Sequence, residues 1–208
     1  MIIGISGKAR SGKDTFADML AKELNNEAYP PYVMMAFANE LKMKCQEAFD
    51  LSWEQLWGNE KEVEDKRYAK QIVTYTGCTD NNYYTIYWTA REIMQNFGAF
   101  YRTIDNEFWI KNLFKVAEQK EYTNVIITDV RYINEADYIL EHGGVVIRVN
   151  RENKDSVHNE MHPSEIELDD YKKFTFTVIN NWTLEVLEKT AAETVRLLKE
   201  FNKLKESN

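Results

Sequence analysis

Residues 2–15 read Ile-Ile-Gly-Ile-Ser-Gly-Lys-Ala-Arg-Ser-Gly-Lys-Asp-Thr. The first four are an apolar run, Gly7 to Lys13 spell G-K-A-R-S-G-K, and a periodic segment, Phe16 to Leu24, follows at once. Strand, glycine-bracketed loop and helix in this order are the context that the phosphate-cradling pattern G-x-x-x-x-G-K requires. Gly7 and Gly12 suit the close approach of a phosphate to the backbone. Amides at the start of the new helix then face the anion, with the helix dipole behind them. Lys13 would reach the β- and γ-phosphates of a nucleotide. The pattern normally places Ser or Thr after the lysine, to bind magnesium; here Asp14 stands there and Thr15 follows. Either Asp14 meets the ion or Thr15 takes over the hydroxyl role. A plain turn with Ser11 as helix N-cap is the competing reading of the same residues.

Further along, apolar runs at 32–37, 124–128 and 145–149 and a segment at 174–179 read as strands, separated by helical periodicity. With residues 2–6 they make five, and their alternation with helices predicts an α/β fold, a mainly parallel sheet covered on both faces. Ligands of such a sheet bind beyond the carboxyl ends of its strands. Asn39 is placed to cap a helix through Leu41, Cys45 and Phe49, and Asp105 one through Trp109 and Leu113. Thr89 to Phe100 reads as a helix ending near Gly98. Leu184, Leu187, Ala191, Val195, Leu198 and Phe201 mark one face of a last, long helix. Residues 51–88, charged and then rich in Thr and Tyr, show no clear element. Their length suggests a lid or substrate-covering excursion, with a solvated loop or small helical hairpin as the alternative.

The sequence has 208 residues, 44% hydrophobic and 29% charged, which predicts one globular domain with room for an insertion. A net charge of −8 argues against general nucleic-acid binding and leaves a local basic pocket compatible. Cys45 and Cys78 are far apart and lack metal-ligand spacing, so they read as free thiols in a reducing compartment. No apolar stretch approaches the ~20 residues of a membrane helix. Met1 leads straight into a strand, so the expected location is the cytoplasm.

Asp129 falls at the carboxyl end of a predicted strand, where a carboxylate can hold magnesium, cap a helix or close a turn. Arg131 projects from the same edge and offers a planar fork to phosphoryl oxygens, or pairs with Glu135 four residues on. Arg91 and Gln95 lie one helical turn apart, a cation for a phosphate and an amide for a base edge. Arg102 and Trp109 lie just beyond; Trp109 could wall a base or sugar pocket or simply be core. His162-Pro163-Ser164-Glu165 lacks the setting of a hydrolase triad and reads as a loop at the carboxyl edge. His142, His158 and His162 form no metal set.

The ordered motifs G-K-A-R-S-G-K-D-T, R-E-I-M-Q-N-F-G, D-N-E-F-W, T-D-V-R-Y-I-N-E-A and H-P-S-E resemble those of bacteriophage-type deoxynucleoside monophosphate kinases, over roughly residues 1–50 and 89–200. The resemblance implies a P-loop kinase-like three-layer fold, one domain with a helical lid or acceptor-binding excursion at about 51–121. It implies transfer of the γ-phosphoryl of ATP, with Mg2+, to a deoxynucleoside monophosphate in the cytoplasm of a phage host. By position, Gly7, Arg10, Ser11, Gly12, Lys13, Asp14 and Thr15 would hold ATP. Lys8, Arg91, Gln95, Gly98, Arg102 and Trp109 would hold the acceptor, with Lys13, Asp129 and Arg131 at the transferred group. Asp14, Thr15 and Asp129 would serve magnesium. In the family the glycine matching Gly98 is followed by Thr; here Ala99 follows. Residues 51–88 match nothing, so base choice stays open, as does a homodimer. Two rivals remain: a P-loop kinase for another small phosphorylated acceptor, such as phosphomevalonate or dephospho-coenzyme A, and a nucleotide-dependent regulatory module.

Overall fold

Five strands, β1 (Ile2–Ser6), β2 (Tyr32–Met35), β5 (Asn124–Val130), β6 (Val145–Asn150) and β7 (Phe176–Ile179), form a sheet in the order β2-β5-β1-β6-β7. The structure, a computed structural model, describes residues 1–75, 82–152 and 163–206. Every pairing in this sheet is parallel, with Ile3 beside Ile126 on one side and Val145 on the other. The central strands carry apolar runs, Val125-Ile126-Ile127 in β5 and Val145-Val146-Ile147 in β6, because both of their faces are covered. On one face α1 (Lys13–Asn25) and α8 (Leu184–Glu206) bury Phe16, Leu20, Leu187, Ala191 and Leu198 against Ile3, Ile126 and Ile147. On the other, Ile110, Leu113 and Ala117 of α5 (Phe108–Gln119) and Ala136 and Ile139 of α6 (Ile133–Glu141) cover Val125, Ile127 and Val146. These layers belong to one compact unit, residues 1–37 with 110–208, which also holds the short helix α7 (Pro163–Ile166) within the stretch expected to be a loop.

The second unit is Ala38–Trp109, which overlaps the excursion expected at about 51–121 without coinciding with it. Beyond most of α2 (Phe37–Phe49) it holds α3 (Trp53–Leu56), an antiparallel hairpin of β3 (Glu64–Tyr75) and β4 (Asn82–Thr89), and α4 (Ala90–Ile104). Its core joins Cys45, Leu51, Leu56, Ala90, Ile93 and Met94. The hairpin differs from the sequence expectation, which places no strand within residues 51–88 and offers a lid or substrate-covering excursion, a solvated loop or a small helical hairpin there. Two capping boxes fix the helices beside it: Ser52 with Gln55, and Thr89 with Glu92.

Several boundaries differ from expectation. Strand β2 stops at Met35, and α2 begins at Phe37, so Asn39 lies inside the helix and caps nothing. Helix α4 runs through Gly98 to Ile104, because a helical glycine there leaves room for Leu41, whose Cδ2 would lie 3.2 Å from an added Cβ. Leu184 is exposed at the start of α8, while Leu187 three residues on is buried. Cys45 is a buried free thiol, its pKa pushed up to about 12 by burial. Cys78, His158 and His162 lie outside the described residues.

Asp65 is the buried charge of the second unit. Its carboxylate accepts from Arg67 Nη2 at 2.7 Å, Arg67 Nε at 2.9 Å and Gln55 Nε2 at 2.9 Å. The Arg67 guanidinium holds this carboxyl well below the usual carboxylate range. A depressed folded-state pKa contributes stability above the unfolded value, about 3.9, and loses it as pH falls from there through the folded value. Arg67 is half-exposed, which discounts the pair. Asp65→Asn is therefore expected to cost about 1–2 kcal/mol at pH 7. The gap from the parent should narrow below pH ~4, as urea melts at a series of pH values would show.

Candidate active site

The chain leaves β1 at Ser6 into a tight loop and enters α1 at Lys13. Gly12 is the N-cap residue, at φ +84°, and no side chain caps this helix, so Ser11 does not have the capping role that the competing reading gave it. Ser11 instead sits inside the loop, 3% exposed, with its hydroxyl unpaired among the described residues. A Cβ on Gly7 would come within 2.5 Å of that hydroxyl, so the loop closes only around a glycine. Arg10 adopts φ +62°, a left-handed conformation that costs an L side chain about 1–2 kcal/mol. The turn is held by the Ser11 amide donating to the Lys8 carbonyl at 3.1 Å. The Gly12 and Lys13 amides donate to nothing among the described residues. Free amides at a helix N-terminus form an anion site.

Lys13 is 8% exposed, and its ammonium donates to both carboxylate oxygens of Asp14, at 3.0 and 2.9 Å. Asp14 itself stands three-quarters in solvent, and Thr15 is exposed. A largely enclosed cation met by a solvent-exposed carboxylate is poised to exchange that carboxylate for phosphate oxygens.

Beside the loop, at the carboxyl ends of β1, β5 and β6, a cavity is lined by Ser6, Gly7, Lys8, Val130, Arg131, Arg148 and Leu168. Three of these side chains are cations. Arg148 is 8% exposed; it donates to Ser6 Oγ at 3.0 Å, Asp169 Oδ1 at 3.1 Å and Asn150 Oδ1 at 3.2 Å. Burial lowers the pKa of its guanidinium, and Asp169 acts the other way. The second oxygen of Asp169 takes Lys8 Nζ at 2.6 Å. Arg131 lines the cavity, while Glu135, 2% exposed, accepts its backbone amide at 2.8 Å and that of Tyr132 at 3.1 Å. Glu135 thus meets the main chain of Arg131. Asp129 accepts the Phe37 amide at 2.7 Å, so one of its oxygens anchors the start of α2.

The remaining acceptor candidates lie in the second unit. Arg91 pairs with Glu62, Gln95 is half-buried one turn on, and the Arg102 guanidinium would lie 3.5 Å from a Cβ on Gly98. Trp109 is 2% exposed and donates from Nε1 to the Gly98 carbonyl at 3.1 Å, so it is enclosed and fastens α4 rather than walling an open pocket. Lys8 lies in the first unit. The sequence does not point to Arg148, to Asp169, or to Asn180, whose Nδ2 donates to the Ser11 carbonyl at 2.9 Å. An arginine inside Val145-Val146-Ile147-Arg148-Val149 was the one available signal, since a charge on a doubly covered strand must find partners.

A glycine-bracketed loop with a buried lysine, on a parallel sheet ordered β2-β5-β1-β6-β7 and flanked by helices, defines a P-loop kinase. The model of the deoxynucleotide monophosphate kinase family matches residues 33–191, which begins after the loop. The chain belongs to that family and is a nucleotide kinase. It is 33% identical over 193 residues to a protein of Acanthamoeba polyphaga mimivirus named "Putative deoxynucleotide monophosphate kinase", covering 89% of this chain and 91% of that one. Two solved structures resemble it over almost their whole length. Dephospho-CoA kinase from Campylobacter jejuni matches at 15% identity and TM-score 0.48, covering 97% of this chain and 98% of that one. Shikimate kinase from Aquifex aeolicus matches at 18% identity and TM-score 0.45, covering 98% and 99%. No substrate follows from likenesses of that level. Among the described residues no helix is long and apolar enough to cross a membrane.

Proposed function

We propose that the protein moves the γ-phosphoryl of ATP onto the 5′-phosphate of a deoxynucleoside monophosphate, releasing ADP and the diphosphate. The observation that carries this reading is the buried Lys13 ammonium beside the unpartnered Gly12 and Lys13 amides, at the edge lined by Lys8, Arg131 and Arg148. That edge supplies positive charge for polyphosphate oxygens. The family and the mimivirus relative supply the acceptor class, and that relative supports a viral setting.

An acceptor phosphate is already an oxyanion, so no strong general base is required. One of its oxygens attacks the γ-phosphorus while the bond to the β,γ-bridging oxygen breaks and ADP leaves. Positioning and electrostatics carry the step. Lys13 and the loop amides offset charge on the donor, and Arg131 faces the transferred group. Arg91, Gln95 and Arg102 would receive the acceptor, with Arg91 exchanging Glu62 for the acceptor phosphate. Among the described residues no three His, Cys, Asp or Glu side chains form a metal cage. Hard oxygens at Asp14, Thr15 and Asp129 fit magnesium, which commonly rides on substrate phosphates with one or two carboxylates. When bound it would offset phosphate charge.

The test is ADP release from ATP with a panel of deoxy- and ribonucleoside monophosphates, phosphomevalonate and dephospho-coenzyme A. Stimulation by deoxynucleoside monophosphates is expected; stimulation by one of the other acceptors alone would refute the assignment. Asp129 can be examined separately. Asp129→Asn keeps an oxygen for the Phe37 amide and is expected to leave stability within about 0.5 kcal/mol while lowering kcat. Asp129→Ala removes the oxygen too and should cost about 1 kcal/mol more. Paired thermal melts and initial rates separate the two roles.

A further inference from the structure

We infer that Asn180 is a positioning residue of the donor loop, whose side-chain amide holds the Ser11 carbonyl and thereby presents the Gly12 amide to a polyphosphate. The inference rests on the reading of residues 7–13 as the ATP-phosphate site. Asn180 follows the last residue of β7, and its own amide donates to the Asn150 carbonyl at 2.7 Å, so the sheet fixes where its side chain starts. The residue is 7% exposed, and its Nδ2 donates to Ser11 O at 2.9 Å in a buried bond that spans 169 residues of sequence.

The peptide joining Ser11 to Gly12 is a rigid plane in which C=O and N–H point in opposite directions. Pinning the carbonyl towards Asn180 therefore turns the Gly12 N–H away from Asn180. That N–H has no partner among the described residues, which leaves it for an anion. Free rotation of this peptide would let the carbonyl oxygen, itself partly negative, face the phosphate. Asn180 thus sets the sign of the dipole that the loop offers. It does so without touching the ligand, and from the strand furthest along the chain.

The experiment compares the parent protein with Asn180→Asp, an isostere whose ionised carboxylate cannot donate, and Asn180→Ser, whose hydroxyl is too short to span the same gap. Three quantities are read: the KM for ATP, the KM for the acceptor, and the Kd of magnesium tripolyphosphate, which has no base. Loss of one buried hydrogen bond predicts an increase of about tenfold in both the ATP KM and the tripolyphosphate Kd. The acceptor KM should stay within twofold of the parent value, a split that general loosening of the fold would not produce. A tripolyphosphate Kd within twofold of the parent in either variant that melts cooperatively overturns the inference. So does weaker ATP binding with unchanged tripolyphosphate binding, which would assign Asn180 to the base. Should the parent show no acceptor-stimulated ADP release, the kinase reading fails, while the tripolyphosphate comparison still decides the role of Asn180.

Discussion

Lys13→Ala is expected to lower kcat by about 10²- to 10³-fold, the usual cost of removing one preorganised donor to a developing charge. Stability should barely change. The ammonium's partner is Asp14, whose carboxylate is mostly in water already, so its loss strands no buried charge. Such half-solvated pairs contribute about 0–1 kcal/mol. The aliphatic stem is the larger structural loss, since Lys13 is 8% exposed, and its removal should shift the melting temperature by only a few degrees. Initial rates of ADP release, with a thermal melt on the same sample, check both halves. Near-normal turnover by a folded variant would remove Lys13 from the site. Asp14→Asn offers a contrast: it frees Lys13 from its carboxylate before ATP arrives, so ATP affinity rises if Asp14 acts mainly as competitor and falls if it serves magnesium.

The middle of the sheet is legible because its central strands are buried on both sides and therefore written as apolar runs, as in Val125-Ile126-Ile127. The loop is legible because its glycines are required locally, Gly12 by its positive φ and Gly7 by the closeness of the Ser11 hydroxyl. The hairpin is not, and burial explains why. Between Glu64 and Ile72 only Asp65 is buried, so β3 has no apolar alternation to betray it and is held by pairing with β4. Helix α4 extends past Gly98, although a glycine there signals a helix end when the sequence is read in isolation. Leu41 and Trp109, neighbours only in the fold, make that glycine a packing site instead. Arg148 and Asn180 were hidden for a related reason: the partners that give them meaning, Ser6 and Ser11, lie 142 and 169 residues away.

Gly12→Ala carries the second large expected effect, and its double-mutant form is the sharper measurement. At φ +84° an alanine pays about 1–2 kcal/mol for the left-handed backbone alone. Its Cβ would also lie 2.2 Å from Asn180 Nδ2, a separation that cannot persist. Asn180 is short, buried and bonded to Ser11 O, so it can withdraw only by releasing that carbonyl. If Asn180 stays, the Gly12 backbone must move instead, and the amide facing the anion moves with it. Either way the loop loses its geometry, and kcat/KM for ATP should fall by about 10²-fold or more. Asn180→Ala removes the clash but not the backbone strain. In the parent background Asn180→Ala should weaken ATP binding; in the Gly12→Ala background it should cost much less, or restore some activity. That coupling, read from kcat/KM for ATP across the four proteins, is expected to be at least about 1 kcal/mol for two residues in direct contact. Simple additivity would show that the loop and the end of β7 act independently.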